Sequence, residues 1–251
     1  MRLTSHTPTK VDEENPYWIS FSDLMSALLV IFILAALALI IELTQKTDSI
    51  DESIKELKKA EQARKDIITE IKEELAKQNI QVVIVFNETV IRIPEETLSF
   101  QSGKDLIPDE KIETVKSIGT VLHAAITKNE RFKYLDTVFI EGHTDSWLIK
   151  SGRYWTKGNW GLSTDRAITV WKLWSEELEL TPTLNELLNH SKENLFSVSG
   201  YAATRRVQLI EDTPEQRAKN RRIDIRFTVK RPSIEELENI KPKADKPMQD
   251  N

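Results

Sequence analysis

Hydrophobic and polar positions divide the chain into three regimes. From Leu24 to Ile41 every residue except Ser26 is apolar, a run of 18 residues. Extended back to Ile19 it makes a helix roughly 34 Å long at the usual rise, enough to cross a bilayer core. No second stretch approaches this length. Residues 44–79 are highly charged and lack Pro and Gly. Within them Ile50, Ile54, Leu57, Ile68, Ile71 and Leu75 fall on alternating steps of four and three, with Glu61 and Arg64 in the two intervening positions. This is an imperfect heptad seam. It predicts a helix that either pairs with a second copy or rests one face on the domain that follows.

From Ile80 the period changes again. Ile80–Phe86 and Thr89–Ile93 flank Asn87-Glu88 and predict a hairpin. Pro108–Thr127 carries Ile112, Val115, Ile118, Val121, Leu122 and Ala125 at helical spacing. Thr137–Glu141, Phe196–Tyr201 and Ile223–Val229 predict strands, and Leu162–Leu178 a second helix. The alternation predicts an α+β fold, a two-layer α/β sandwich over residues 80–230 behind a transmembrane helix (19–43) and a helical linker (44–79). Residues 1–18 form a polar tail. Residues 231–251, rich in Pro and Lys, read as a flexible one.

Composition narrows the function. With 35 Lys+Arg against 40 Asp+Glu the net charge is −5, which gives no reason to expect a nucleic-acid partner. The chain has no cysteine. Disulfides, zinc–thiolate sites, a cysteine nucleophile and a lipoprotein anchor are therefore excluded. His143 has no second histidine or nucleophile placed to make it catalytic, and neither an enzyme nor a cofactor is expected. Ala36-Leu37-Ala38 has a small-x-small form, but apolar residues continue past it and residues 1–18 lean acidic. An uncleaved anchor is expected. Arg2 and Lys10 before the helix, against Lys46, Lys55, Lys58, Lys59 and Arg64 after it, weakly favour a cytoplasmic C-terminal side. That rule has little force when a long domain follows.

Asp23 stands at the entrance of the apolar run. A carboxylate at the centre of the hydrocarbon costs about 2.5–3.5 kcal/mol, so an intramembrane acid is a candidate for ion or proton transfer. Alternatively, Ser22 and Asp23 cap the helix at the interface. Trp18, Asp23, Ser26 and Ala27 resemble the membrane helix of MotB-type stator subunits. The fuller string Asn15-Pro16-Tyr17-Trp18-Ile19-Ser20-Phe21-Ser22-Asp23-Leu24-Met25-Ser26 resembles more closely the ZorB family, the MotB-like subunits of the Zorya anti-phage system. The resemblance implies that Asp23 carries protons, with Ser26 lining the channel. It also implies that two copies sit inside a ring of a larger multi-helix subunit of the MotA or ZorA kind.

The distal motifs resemble the OmpA-like peptidoglycan-binding domain. In order they are Leu98–Gly103, Ile140–Asp145, Asn159–Ala167, Val198–Tyr201 and Asn220–Ile225. A stem peptide containing diaminopimelate presents an ammonium beside carboxylates, and its recognition needs a fixed anion and a fixed guanidinium. The resemblance implies that Asp145 holds the ammonium and Arg166 the carboxylate. Asn159 and Leu162 then shape the pocket, Thr144 supports it, and the helix start near Leu162 adds backbone N–H groups. Outside that resemblance, Asp145 and Arg166 could equally form an internal ion pair, and Leu162 a core contact. Arg221 and Arg222 read as structural, one paired in the sheet and the other facing water. The stretch Ser146–Gly158, with Trp147, Arg153, Tyr154 and Trp155, is longer than the resemblance leads one to expect.

These expectations combine into a single-pass inner-membrane protein, cytoplasmic at its N-terminus and periplasmic in its distal domain. It is anchored to peptidoglycan and acts as the stator-type subunit of a proton-driven motor in Zorya defence. The alternatives are a flagellar MotB-type stator and a passive OmpA-like wall anchor.

Overall fold

The structure, a computed structural model, describes residues 16–100, 103–149 and 152–231. The expected tails, Gln101 and Ser102 of the first distal motif, and Lys150 and Ser151 lie outside the described residues.

Helix α1 runs from Pro16 to Lys77. Pro suits a first helical turn, where its missing N–H costs nothing. Between Asp23 and Glu42 the helix is charge-free and almost wholly apolar, and this stretch is unburied by protein. Lipid is the solvent that such a surface requires. The chain divides into two compact units, one containing residues up to Ser53 and the other spanning Ile54–Ser233.

In the second unit β1 (Val83–Val85) and β2 (Val90–Pro94) form the expected hairpin. After them come the single-turn helix α2 (Glu95–Leu98), then α3 (Asp109–Thr127) and a 3-10 segment, Lys128–Tyr134. Strand β3 (Leu135–His143), helix α4 (Gly158–Glu176), β4 (Phe196–Gly200), the short α5 (Pro214–Ala218) and β5 (Arg222–Val229) complete it. The sheet order is β1-β2-β5-β3-β4. Strand β5 is antiparallel to β2 and β3, and β4 is parallel to β3 across the α4 crossover.

Strand alternation sorts the two faces of the sheet. Ile223, Ile225 and Phe227 join Val138, Ile140, Ile91 and Ile93 in a core with Val115, Ile118 and Leu122 of α3 and Val170 and Trp174 of α4. The Trp174 indole N–H donates to the Val115 carbonyl at 2.7 Å, so the largest core side chain keeps its polar atom satisfied. Arg222, Asp224 and Arg226 alternate with these apolar residues along β5. They carry the ion pairs of the opposite face.

Of the two arrangements expected for the linker helix, the structure shows one face resting on the distal unit. Ile67, Ile68, Ile71 and Leu75 of α1 are buried in the core of the distal unit, with Leu57 packed against it. Of the seam, only Ile50 and Ile54 remain exposed. Glu70 fixes this contact by accepting from Lys128 and Arg131 at 2.9 and 2.6 Å. Helix α1 therefore contributes its last six turns to the domain, which extends upstream of residue 80.

Two glycines set the position of α4. A Cβ on Gly142 would lie 1.9 Å from the Ser163 carbonyl oxygen, and one on Gly200 2.2 Å from Thr164 Oγ1. The ends of β3 and β4 thus abut the second turn of α4 with no room for a side chain. The Ser163 hydroxyl, itself buried, accepts from the Ala202 amide at 3.0 Å. This brings the residues following β3 beside the start of α4.

Candidate functional site

That junction is the mouth of a cleft of about 650 Å³. Thr144, Asp145, Asn159, Leu162 and Arg166 all line it, together with Glu95, Phe100, Lys104, Trp147, Arg217 and Arg221. Helix α4 begins at Gly158, one turn before the expected start. Asn159 and Leu162 therefore lie in its first turn, and the helix-end donors expected near Leu162 fall further upstream. The Asn159 amide donates to the carbonyls of Asp145 and Trp147 at 3.1 and 2.9 Å. It ties the loop after β3 to the helix. Leu162 is buried and closes the apolar side of the cleft.

Asp145 pairs with Arg221 rather than Arg166. Arg221 Nη1 donates to Asp145 Oδ2 at 2.7 Å, and the same guanidinium forks onto both oxygens of Glu95. Asp145 Oδ1 accepts from the Trp147 amide at 3.2 Å. The expectation that one of Arg221 and Arg222 faces water is corrected. Arg221 enters the cleft, while Arg222 is buried in the sheet against Asp224. Burial lowers the Arg221 pKa, but its hydrogen bonds to Glu95 and Asp145 more than offset this and hold it above the ordinary value.

Arg166 is 1% exposed. Its Nε donates to the Lys104 carbonyl at 2.9 Å, and its guanidinium lies 4.9 Å from the centre of the Phe100 ring. Burial pulls its pKa down to about 10, against the opposing field of Glu95. It remains charged at neutral pH. Thr144 is also buried, and its Oγ1 has no hydrogen-bond partner among the described residues. The cleft thus brings the carboxylates of Glu95 and Asp145 together with the guanidiniums of Arg166, Arg217 and Arg221, and a buried hydroxyl lies beside them. Such a surface suits a ligand that carries both charges.

In the Ser146–Gly158 stretch the aromatics separate. Tyr154 is buried and its hydroxyl donates to Asp165 Oδ2 at 2.9 Å, whereas Trp147 and Trp155 are exposed. Burial and that hydrogen bond push the Tyr154 pKa up.

Behind the cleft lie Glu141, His143 and Asp224, whose ligand atoms come within 4.8 Å of one another. Their chemistry is that of an ion network rather than a metal site. Arg226 forks onto Glu141 at 2.8 and 2.9 Å, and Arg92 onto Asp224 at 2.9 and 3.0 Å. The guanidiniums already take the oxygens a cation would need. His143 stacks on Tyr201 at 5.4 Å, and burial, with Arg222 nearby, pushes its pKa down to about 3. The ring is neutral in the fold, and an unfolded histidine titrates near 6.5. Below that value the unfolded chain binds a proton the folded chain refuses. Stability is therefore full above pH 6.5 and falls as the pH drops towards 3, by up to about 1.4 kcal/mol per pH unit. His143→Phe is expected to flatten the fall between pH 6.5 and 4.5, above the range where carboxylates titrate. Thermal unfolding of the full-length chain at several pH values measures this, and an unchanged slope would contradict it.

The OmpA family model matches residues 99–221, within the distal unit. That unit has the OmpA-type fold. No curated protein sequence matches the chain significantly. Among solved structures, the cell wall anchor of the T6SS from Pseudomonas aeruginosa is 23% identical, with TM-score 0.46, covering 66% of this chain and 99% of that one. A MotB-like protein from Desulfovibrio vulgaris is 18% identical, with TM-score 0.49, covering 71% and 99%. The periplasmic domain of Helicobacter pylori MotB (its residues 90–256) is 20% identical, with TM-score 0.49, covering 66% and 90%. With its exposed apolar helix and its OmpA-type domain, the chain is a single-pass inner-membrane protein whose distal domain is periplasmic.

Proposed function

We propose that the distal cleft holds the stem peptide of peptidoglycan and so anchors this membrane protein to the cell wall. The observation that carries this reading is that Thr144, Asp145, Asn159, Leu162 and Arg166 line one cleft that holds charges of both signs. Asp145, with Glu95 behind Arg221, receives the ammonium of diaminopimelate. Arg166 receives a carboxylate, and the buried Thr144 hydroxyl offers a further hydrogen bond. Sedimentation with purified peptidoglycan tests this. Asp145→Ala is expected to reduce the pelleted fraction of the full-length chain about tenfold or more, and undiminished pelleting would refute the site.

We further infer a stator-type role, with Asp23 as the proton carrier and Ser26 beside it, in a homodimer inside a ring of a MotA- or ZorA-like multi-helix subunit. Two features support it. Helix α1 already begins at Pro16, so Asp23 lies about two turns inside it and is not its cap. The Ser26 hydroxyl donates to the Ser22 carbonyl at 2.7 Å and so sits on the helix surface one turn from Ser22. The string Asn15–Ser26 favours the Zorya defence system over the flagellar motor. A passive OmpA-type wall anchor accounts for the distal cleft equally well and needs no ring partner. Co-purification of a multi-helix membrane subunit separates the two readings.

A further inference from the structure

The cleft continues onto an exposed tryptophan that the charged ligand groups do not use. Trp147 lines the mouth of the cleft yet is 64% exposed. An exposed large aromatic is usually free to move. This one is held at three points. Its amide donates to Asp145 Oδ1 at 3.2 Å, and its carbonyl accepts from the Asn159 amide at 2.9 Å. The guanidinium of Arg217 lies over its ring, 4.3 Å from the ring centre. Arg217 is fixed in turn, since its Nη1 donates to the carbonyls of Glu211 and Asp212 at 2.8 and 3.2 Å. The indole is therefore braced on one face by a buried cation, with its backbone fastened to two residues of the charged site.

A rigid aromatic face in water, backed by a guanidinium, suits the C–H face of a pyranose ring. Stacking there removes apolar area from water at little entropic cost, because the platform is already ordered. In peptidoglycan the sugar is covalently joined to the stem peptide. The third residue of a stem is joined to its sugar by a lactyl ether, an alanine and a γ-linked glutamate, a reach on the order of 15 Å when fully extended. A ligand whose zwitterionic end occupies Asp145 and Arg166 must carry its sugar near the mouth of the cleft.

We propose that Trp147 is a glycan subsite, which stacks on an N-acetylated amino sugar of the strand whose stem peptide fills the charged cleft. Arg217 acts as its positioning residue. The inference rests on the stem-peptide reading given above.

The test compares two soluble probes on the full-length chain in detergent: a disaccharide tripeptide ending in diaminopimelate, and the same tripeptide without sugar. The wild type is expected to bind the glycosylated probe more tightly. Trp147→Ala should weaken that probe about tenfold, to near the level of the bare peptide, and weaken the bare peptide much less. Trp147→Phe should recover part of the difference. Far-ultraviolet circular dichroism identifies any variant that has not folded, and the Phe variant, which keeps a ring over Arg217, then carries the comparison. Equal affinity of the wild type for both probes overturns the glycan subsite alone. So does an equal loss of both probes in Trp147→Ala. If the wild type binds neither probe, the stem-peptide reading itself fails and the subsite with it.

Discussion

Arg166→Met is expected to reduce binding of diaminopimelate peptides by about a hundredfold, with a much smaller effect on folding. Truncating one partner of a desolvated charge pair costs about 2–5 kcal/mol, because the other charge stays in a poor solvent. Arg166 meets that condition. It is buried, lies over Phe100, and its Nε is fastened to the Lys104 carbonyl. A ligand carboxylate docked there would pair with a cation already fixed in place. Met keeps the stem of the side chain and its contact with Phe100. The folded state then loses the hydrogen bond to Lys104, worth about 1 kcal/mol, along with the other polar contacts of the guanidinium. Arg166→Lys should rescue little, since an ammonium cannot reproduce the planar fork. Calorimetric titration gives the affinity, and thermal unfolding gives the cost to the fold. A loss of stability as large as the loss of binding would mark Arg166 as a core ion and not a ligand contact.

The second large effect is expected at Asp23. Asp23→Asn retains size and polarity but cannot exchange a proton. If the carboxylate is the carrier, proton flux through the assembled complex falls to background while the subunit and its ring partner still co-purify. Asp23→Glu should keep part of the flux. The measurement is acidification of vesicles that contain both subunits. Flux retained in the Asn variant would leave the chain as a wall anchor with a polar residue in its membrane helix.

Much of the distal fold was legible because its signals are local. Period-two and helical patterning located all the main strands and helices, and the Gly142 and Gly200 motifs marked strand ends that α4 approaches too closely for a Cβ. The residues lining the cleft were legible through the order of their motifs. Two things were not. The apolar stripe of Ile67, Ile68, Ile71 and Leu75 announces a buried face, but the same spacing serves a coiled coil or a domain core. Only the tertiary structure shows that the stripe joins the core of the distal unit. Arg221 and Arg222 read alike as structural residues, because Glu95, the partner of Arg221, lies 126 residues away in sequence and the direction of each side chain depends on strand register. The alternation of Arg221 and Arg222 at the start of β5 was the available clue, since neighbours there point to opposite sides.

The cleft therefore differs from the single anion and single cation first expected. Arg221 already neutralises part of the charge on Asp145 and Glu95, which leaves a net acceptor for one ammonium beside the guanidinium of Arg166. On the proposed reading, recognition then depends on both charged ends of the ligand side chain. Titrating the full-length chain with two tripeptides, one ending in diaminopimelate and one in lysine, examines this most directly. The lysine peptide keeps the ammonium and lacks the side-chain carboxylate. Binding of the diaminopimelate peptide at least tenfold tighter than the lysine peptide is the predicted result, and equal affinity for the two would contradict the account.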